Sequence, residues 1–282
     1  MQIRKIKKVM QAKPVIEGAG VRLKRVFGHP EVPEFDPFLL MDDFHSDSPE
    51  DYMAGFPMHP HRGIETITYL LQGSVAHRDS MGNEGRIEAG DIQWMTAGSG
   101  IIHEEMPEES KPALWGFQLW ANLPATHKMM PPRYQNIKAA EVPEFVPEAG
   151  VSIKVICGAL EDVKGPVQEI VTDPEYLDIR IGVEKVFEHR VKAGHTVFAY
   201  VIEGEAAFAE EASQYTPETL VLFDAGDVIR VRTGENPVRF LLISGKPIGE
   251  PVAWRGPIVM NTQAELDAAL KAYQNGTFIE QV

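Results

Sequence analysis

The sequence holds one cysteine, Cys157, among 282 residues, so an intramolecular disulfide framework is excluded and a reducing compartment is expected. Its setting, Val151 to Ile156, is rich in apolar residues and predicts a buried, unreactive thiol. Also absent is any stretch approaching the roughly 18 uncharged apolar residues that a membrane helix needs. Basic charge is scarce: 27 Lys and Arg stand against 41 Asp and Glu, a formal net charge of -14. That balance disfavours direct binding to nucleic acid, because phosphate neutralisation needs a basic surface. The first ten residues carry Arg4, Lys5, Lys7 and Lys8 but no following apolar run of signal-peptide length, and a soluble, cytoplasmic protein is expected. Helical periodicity is scarce too, which leaves a 44% hydrophobic chain to bury its core mainly with strands.

What is present reads as short strands between turns. Val21 to Phe27 alternates apolar with basic residues, the period of a strand with one wet face. Ile64 to Leu71 is rich in apolar and β-branched residues and ends at Gly73. Ile92 to Thr96 and Leu114 to Leu119 continue the series at sandwich or barrel spacing. From Asn122 to Gly150 the pattern breaks at Pro124, Pro131, Pro132, Pro143 and Pro147, which predicts a crossing between domains. The tail alone is helical: Thr262 and Glu265 form a capping box, and Leu266, Leu270 and Tyr273 share a face.

Two stretches carry chemistry. In Gly55 to Gly63, His59 and His61 lie two apart on an extended chain, so their side chains leave one face about 7 Å apart at the backbone. His103 and Glu105, within Gly98 to Pro107, have the same relation. Three imidazoles and a carboxylate from two strands suit a first-row divalent metal and can leave positions open for substrate or oxygen. Phe56 and Met58, beside the ligands, are candidates for a cavity mouth. Trp94, Trp115 and Trp120 are expected in the core, and the other histidines are expected to be structural or surface groups.

The second half repeats the first. Tyr200 and Gly204 can be laid on Tyr69 and Gly73, and Gly226-Asp227 on Gly90-Asp91. In that register Arg190 and Lys192 stand opposite His59 and His61, with Arg239 and Leu241 opposite His103 and Glu105, so any metal belongs to the N-terminal copy alone.

The blocks Gly55 to Gly63, Gly90 to Pro107 and Gln118 to Pro124, in that order, resemble the pirins, a bicupin family of the cupin superfamily. The resemblance implies an all-β fold of two cupin barrels face to face with a C-terminal helix. Residues 1–135 would form the metal-binding domain and 136–282 the degenerate one carrying the helix. It further implies one Fe(II) held by His59, His61, His103 and Glu105, although such a donor set also accepts Mn, Co, Ni, Cu or Zn. Cupins in general take their glutamate from the first motif, where Glu65 stands, and strand alternation points Glu65 the same way as His61. On the pirin pattern Glu65 becomes a partner of a ligating imidazole instead.

Some pirins open the central ring of quercetin with O₂ and release carbon monoxide. A small aromatic substrate and O₂ are thus the expected partners, with Glu105 as the base for the flavonol 3-hydroxyl. A second reading is a regulatory, redox-sensing module that binds a protein partner without turnover, for which the basic strand Arg22, Lys24, Arg25 is the candidate surface. A structural bicupin without metal conflicts with the intact ligand set.

Overall fold

The alternating patterns become strands in the computed structural model, which describes residues 1–109 and 113–279. The chain divides into two compact units. One comprises Lys13–Ala139 with Ile248–Val282, and the other Met1–Ala12 with Ala140–Pro247. This differs from a single boundary near residue 135. Strand Ile6–Gln11 pairs with Thr219–Phe223, as at Val9 opposite Val221, and so joins the second unit. The C-terminal segment, helix included, joins the histidine-bearing unit instead.

That unit has a seven-stranded antiparallel sheet in the order Arg133–Ile137, Ile92–Thr96, Ile64–Gln72, Leu114–Asn122, Phe38–Ser46, Val21–Phe27 and Lys13–Glu17. A four-stranded sheet runs Phe56–His61, Ile101–Pro107, Ser74–Asp79 and Glu84–Glu88. Side chains from both sheets, among them Leu23, Leu70 and Leu114 with Val75 and Ile87, are buried in one cluster, the layered arrangement of a β-sandwich.

The second unit repeats the wiring with Ile6–Gln11, Thr219–Phe223, Thr196–Gly204, Val238–Gly245, Glu175–Ile181, Val151–Cys157 and Glu144–Glu148. Its smaller sheet is Val186–Arg190, Val228–Arg232 and Ala207–Phe208. The two sheet orders correct the register read from sequence. Strand Ile101–Pro107, which carries His103, has as its counterpart Val228–Arg232, each pairing with the first strand of its smaller sheet. Arg239 and Leu241 lie on Val238–Gly245, the counterpart of Leu114–Asn122. On Val228–Arg232, Ile229 and Val231 turn into the second unit's core while Arg230 faces outward to Glu188 and Glu210, so the inward positions that hold His103 and Glu105 in the first unit are apolar in the second. Cys157 is buried, as expected, with Sγ 3.3 Å from the Pro174 carbonyl.

The proline-rich segment is not bare linker. Arg133–Ile137 and Glu144–Glu148 are edge strands, one in each large sheet, where missing amide donors are tolerated. The second ladder loses register between Phe145 and Glu148, at Pro147. The helix forms as predicted over Gln263–Gln274, with Glu265 N donating to Thr262 Oγ1 and Thr262 N to Glu265 Oε2. Its Leu266 and Ala269 are buried with Ile258, Met260 and Phe278. Among the described residues, no helix is long and apolar enough to cross a membrane.

The C-terminal segment is clasped beside the histidines. Gly63, two residues after His61, has φ +77° and approaches so closely that a Cβ would lie 2.0 Å from the Val259 carbonyl oxygen. Lys128, 1% exposed, donates from Nζ to Gly63 O at 2.9 Å, Asn122 Oδ1 at 2.7 Å and Val259 O at 3.0 Å. Burial pushes its amine down to about 8. Lys128→Met should strand three buried acceptors and cost about 1–3 kcal/mol in chemical denaturation. The unfolded chain binds this proton up to about 10.5 and the folded chain only to about 8. Wild type should therefore gain stability relative to the variant as pH rises between those values, and parallel pH curves would refute the assignment.

Candidate metal centre

Extended backbone at Phe56–His61 and Ile101–Pro107 brings the predicted residues together because the strands pair directly, with His103 opposite His59 and Ile101 opposite His61. His59, His61 and His103 place one ring nitrogen each within 4.8 Å of one another. Their rings lie 4.4–5.0 Å apart, centroid to centroid.

The tautomers follow from the backbone. His59 Nδ1 is 2.9 Å from Pro57 O and His61 Nδ1 is 3.2 Å from Pro257 O; a carbonyl only accepts, so both Nδ1 atoms donate. In a neutral ring the lone pair then sits on Nε2, and the two Nε2 atoms face each other at 3.0 Å. His103 is fully buried, and neither of its ring nitrogens has a hydrogen-bond partner. Burial, and then repulsion from neighbouring imidazoles, holds His61 and His103 well below the usual imidazole range. Neutral, converging, unsatisfied nitrogens are what a divalent cation requires, and a protein without one leaves them at a cost. The residues fit a metal.

Glu105 stands outside that group. The register shifts between His103 and Glu105, a bulge that sets Glu105 opposite Phe56. Its buried carboxylate accepts from Thr68 Oγ1 at 3.1 Å and from Gln118 Nε2 at 3.2 Å. Glu65 does not partner an imidazole among the described residues. Fully buried, it accepts from Thr96 Oγ1 at 2.7 Å, and burial pushes its carboxyl up against the pull of Thr96, Trp94 and Arg133. Glu104 faces away, 2.8 Å from Arg78.

Beside His59 and His61 lies a cavity of about 600 Å³. Phe56 lines it as predicted, whereas Met58, 43% exposed, does not. Trp120, expected in the core, is a wall: its ring meets His61 edge-on at 5.1 Å and Trp254 at 6.0 Å. His29 extends this aromatic wall, 5.2 Å from Trp254. His77, likewise expected to be merely structural, is buried 5.3 Å from His103, stacked on Tyr134 and 3.3 Å from Asp79.

A row of polar residues at one register crosses the large sheet. Gln93 pairs with Thr68, Thr68 with Gln118, Gln118 with Asp42, and Asp42 with Arg25. Arg25 grips Asp42 at two points, 2.9 Å each, and Glu17 at 2.9 Å, so this residue of the basic strand turns inward. Burial pushes Asp42 up to about 6 despite Arg25. Strand phase was the available signal, since Arg25 lies in register with inward Val21 and Leu23.

These features agree with comparisons to known proteins. A pirin family model matches residues 20–121, and a model of the pirin C-terminal cupin domain matches 176–279. A pirin-like protein of Caulobacter vibrioides is 43% identical over 281 residues, covering 99% of this chain and 100% of that protein. Human pirin is 40% identical, covering 92% of this chain and 88% of its own. The crystal structure of a quercetin 2,3-dioxygenase from Acinetobacter baumannii superposes with a TM-score of 0.89 at 32% identity over 98% of each chain. With both barrels matched and near-complete coverage at this identity, the chain belongs to the pirin family.

Proposed function

We propose that the histidine-bearing unit is an Fe(II)-dependent dioxygenase that opens flavonols such as quercetin with O₂. The observation that carries this reading is the convergence of three imidazoles, two of which, His59 and His61, stand in the wall of an aromatic-lined cavity. The quercetin 2,3-dioxygenase of like fold adds the substrate class. His59, His61 and His103 would hold the ion, and Glu105 is the fourth group of the site. The bound metal supplies Lewis acidity toward the substrate's oxygens and a meeting point for O₂.

The chain's own groups do the rest. Trp120, Trp254 and Phe56 give flat apolar walls that orient a planar ligand and exclude water from the reacting face. Glu105 is aimed by Thr68 and Gln118, which share its two oxygens. Each oxygen accepts one of these bonds and keeps a second lone pair, on which the flavonol 3-hydroxyl proton can be taken while both donors hold the carboxyl in place. The carbonyls of Pro57 and Pro257 hold the His59 and His61 rings with Nε2 outward, which fixes both tautomers before metal arrives.

His61→Ala should lower the metal content of freshly purified protein at least about ten-fold by elemental analysis. Metal content equal to wild type would exclude the site. Glu105→Gln should retain metal but lose about 10²–10⁴ in anaerobically initiated quercetin turnover, followed by flavonol absorbance. Full turnover in that variant removes the base, and loss of metal with turnover makes Glu105 a ligand instead.

A further inference from the structure

The cavity beside the histidines has a chemically distinct far end. Among its lining residues the formally charged ones are Glu17, Arg25 and Asp42. Arg25 donates from Nε and Nη2 to Asp42 and from Nη1 to Glu17, which commits three of the five guanidinium N–H groups. Two carboxylates against one guanidinium leave one negative charge in excess. Lys13 pairs with Arg25 across the edge of the sheet, but it is exposed and does not line the cavity.

Position gives this excess a meaning. Gln118, Asp42 and Arg25 occupy one register on three successive strands, and Glu17 lies on the fourth. Strands lie about 4.8 Å apart, so Arg25 is about 10 Å across the sheet from Gln118. Gln118 in turn touches Glu105, next to the histidines. A planar ligand with one oxygen at the metal end and a second ring two strand widths away reaches the charged trio. A carboxylate arriving there meets uncompensated negative charge, whereas a hydroxyl finds carboxylate oxygens to accept its proton.

We infer that Glu17, acting with Arg25 and Asp42, determines specificity in this cavity: it admits an aromatic ligand whose far end carries neutral hydroxyl donors and rejects the same skeleton ending in a carboxylate. The inference rests on the flavonol reading for the skeleton used to test it. Glu17 is the residue to change, because it lies on an edge strand with its side chain 41% exposed, and Glu17→Gln keeps an acceptor while removing the charge.

The test uses full-length protein loaded with nickel under anaerobic conditions, so that binding is read without turnover. Dissociation constants at pH 7 are measured by quenching of tryptophan fluorescence for two 3-hydroxyflavones, one with a 4′-hydroxyl and one with a 4′-carboxylate. Wild type should bind the hydroxyl compound about ten-fold more tightly, and Glu17→Gln should narrow the ratio to about three-fold or less by weakening only the rejection of the carboxylate. Equal affinities in wild type, or an unchanged ratio in Glu17→Gln, overturn the inference while the flavonol reading stands. Failure of both flavones to bind overturns the two together.

Discussion

The Nε2 atoms of His59 and His61 are held 3.0 Å apart, a spacing at which two neutral rings turn lone pairs on each other unless a cation is shared between them. The Nδ1 proton that either ring might have moved to Nε2 is pinned by a proline carbonyl, Pro57 for His59 and Pro257 for His61. His103 closes the triangle with both nitrogens unpartnered. The surrounding structure is braced at several points. The direct pairing of two short strands sets the spacing, the glycine turn at Gly63 lets the C-terminal segment approach, and buried Lys128 holds it there.

Behind that triangle the sheet interior is polar where a sandwich interior is usually apolar. The row from Gln93 to Arg25 is affordable because its members satisfy one another or the neighbouring Glu105 and Tyr134: Gln118 and Thr68 on Glu105, Gln93 on Tyr134, Arg25 on Asp42. The same row touches Glu105 through Thr68 and Gln118 and ends at the charged side of the cavity. Leu23, Leu70 and Leu114, on three of the same sheet's strands, are buried in the apolar cluster. The second unit kept the wiring of the first but fills its interior with Val, Ile, Leu and Phe, with Ile229 and Val231 on the strand that answers Ile101–Pro107.

Much of this was legible in the residues. The period-two spacing of His59 with His61 and the glycine framing around His103 led to the three imidazoles that converge, and the capping box at Thr262 led to the helix. Glu105 was harder, because a bulge breaks the alternation that would have carried it from His103, and nothing local marks that bulge. Met58 and Phe56 look equivalent as neighbours of ligands, yet only tertiary placement separates the exposed one from the lining one. Trp254, Pro257 and Lys128 were out of reach for another reason: each reaches a group about 65 residues or more away in sequence, and the periodicity of a segment carries no sign of such contacts. Arg25 was the avoidable miss. Its charge suggested water, while its phase with Val21 and Leu23 pointed inward.

Each end of the chain is built into the unit that holds the other end's share of the sequence: residues 1–12 pair within the second unit, and residues from 248 onward return to the first. A ribosome that has emitted the complete histidine motifs has therefore not yet emitted Pro257, which sets one ring's tautomer, or Val259, which receives the lysine clasp. The hydrogen bond that orients the His61 ring thus joins groups 196 residues apart and can form only once residue 257 has been made.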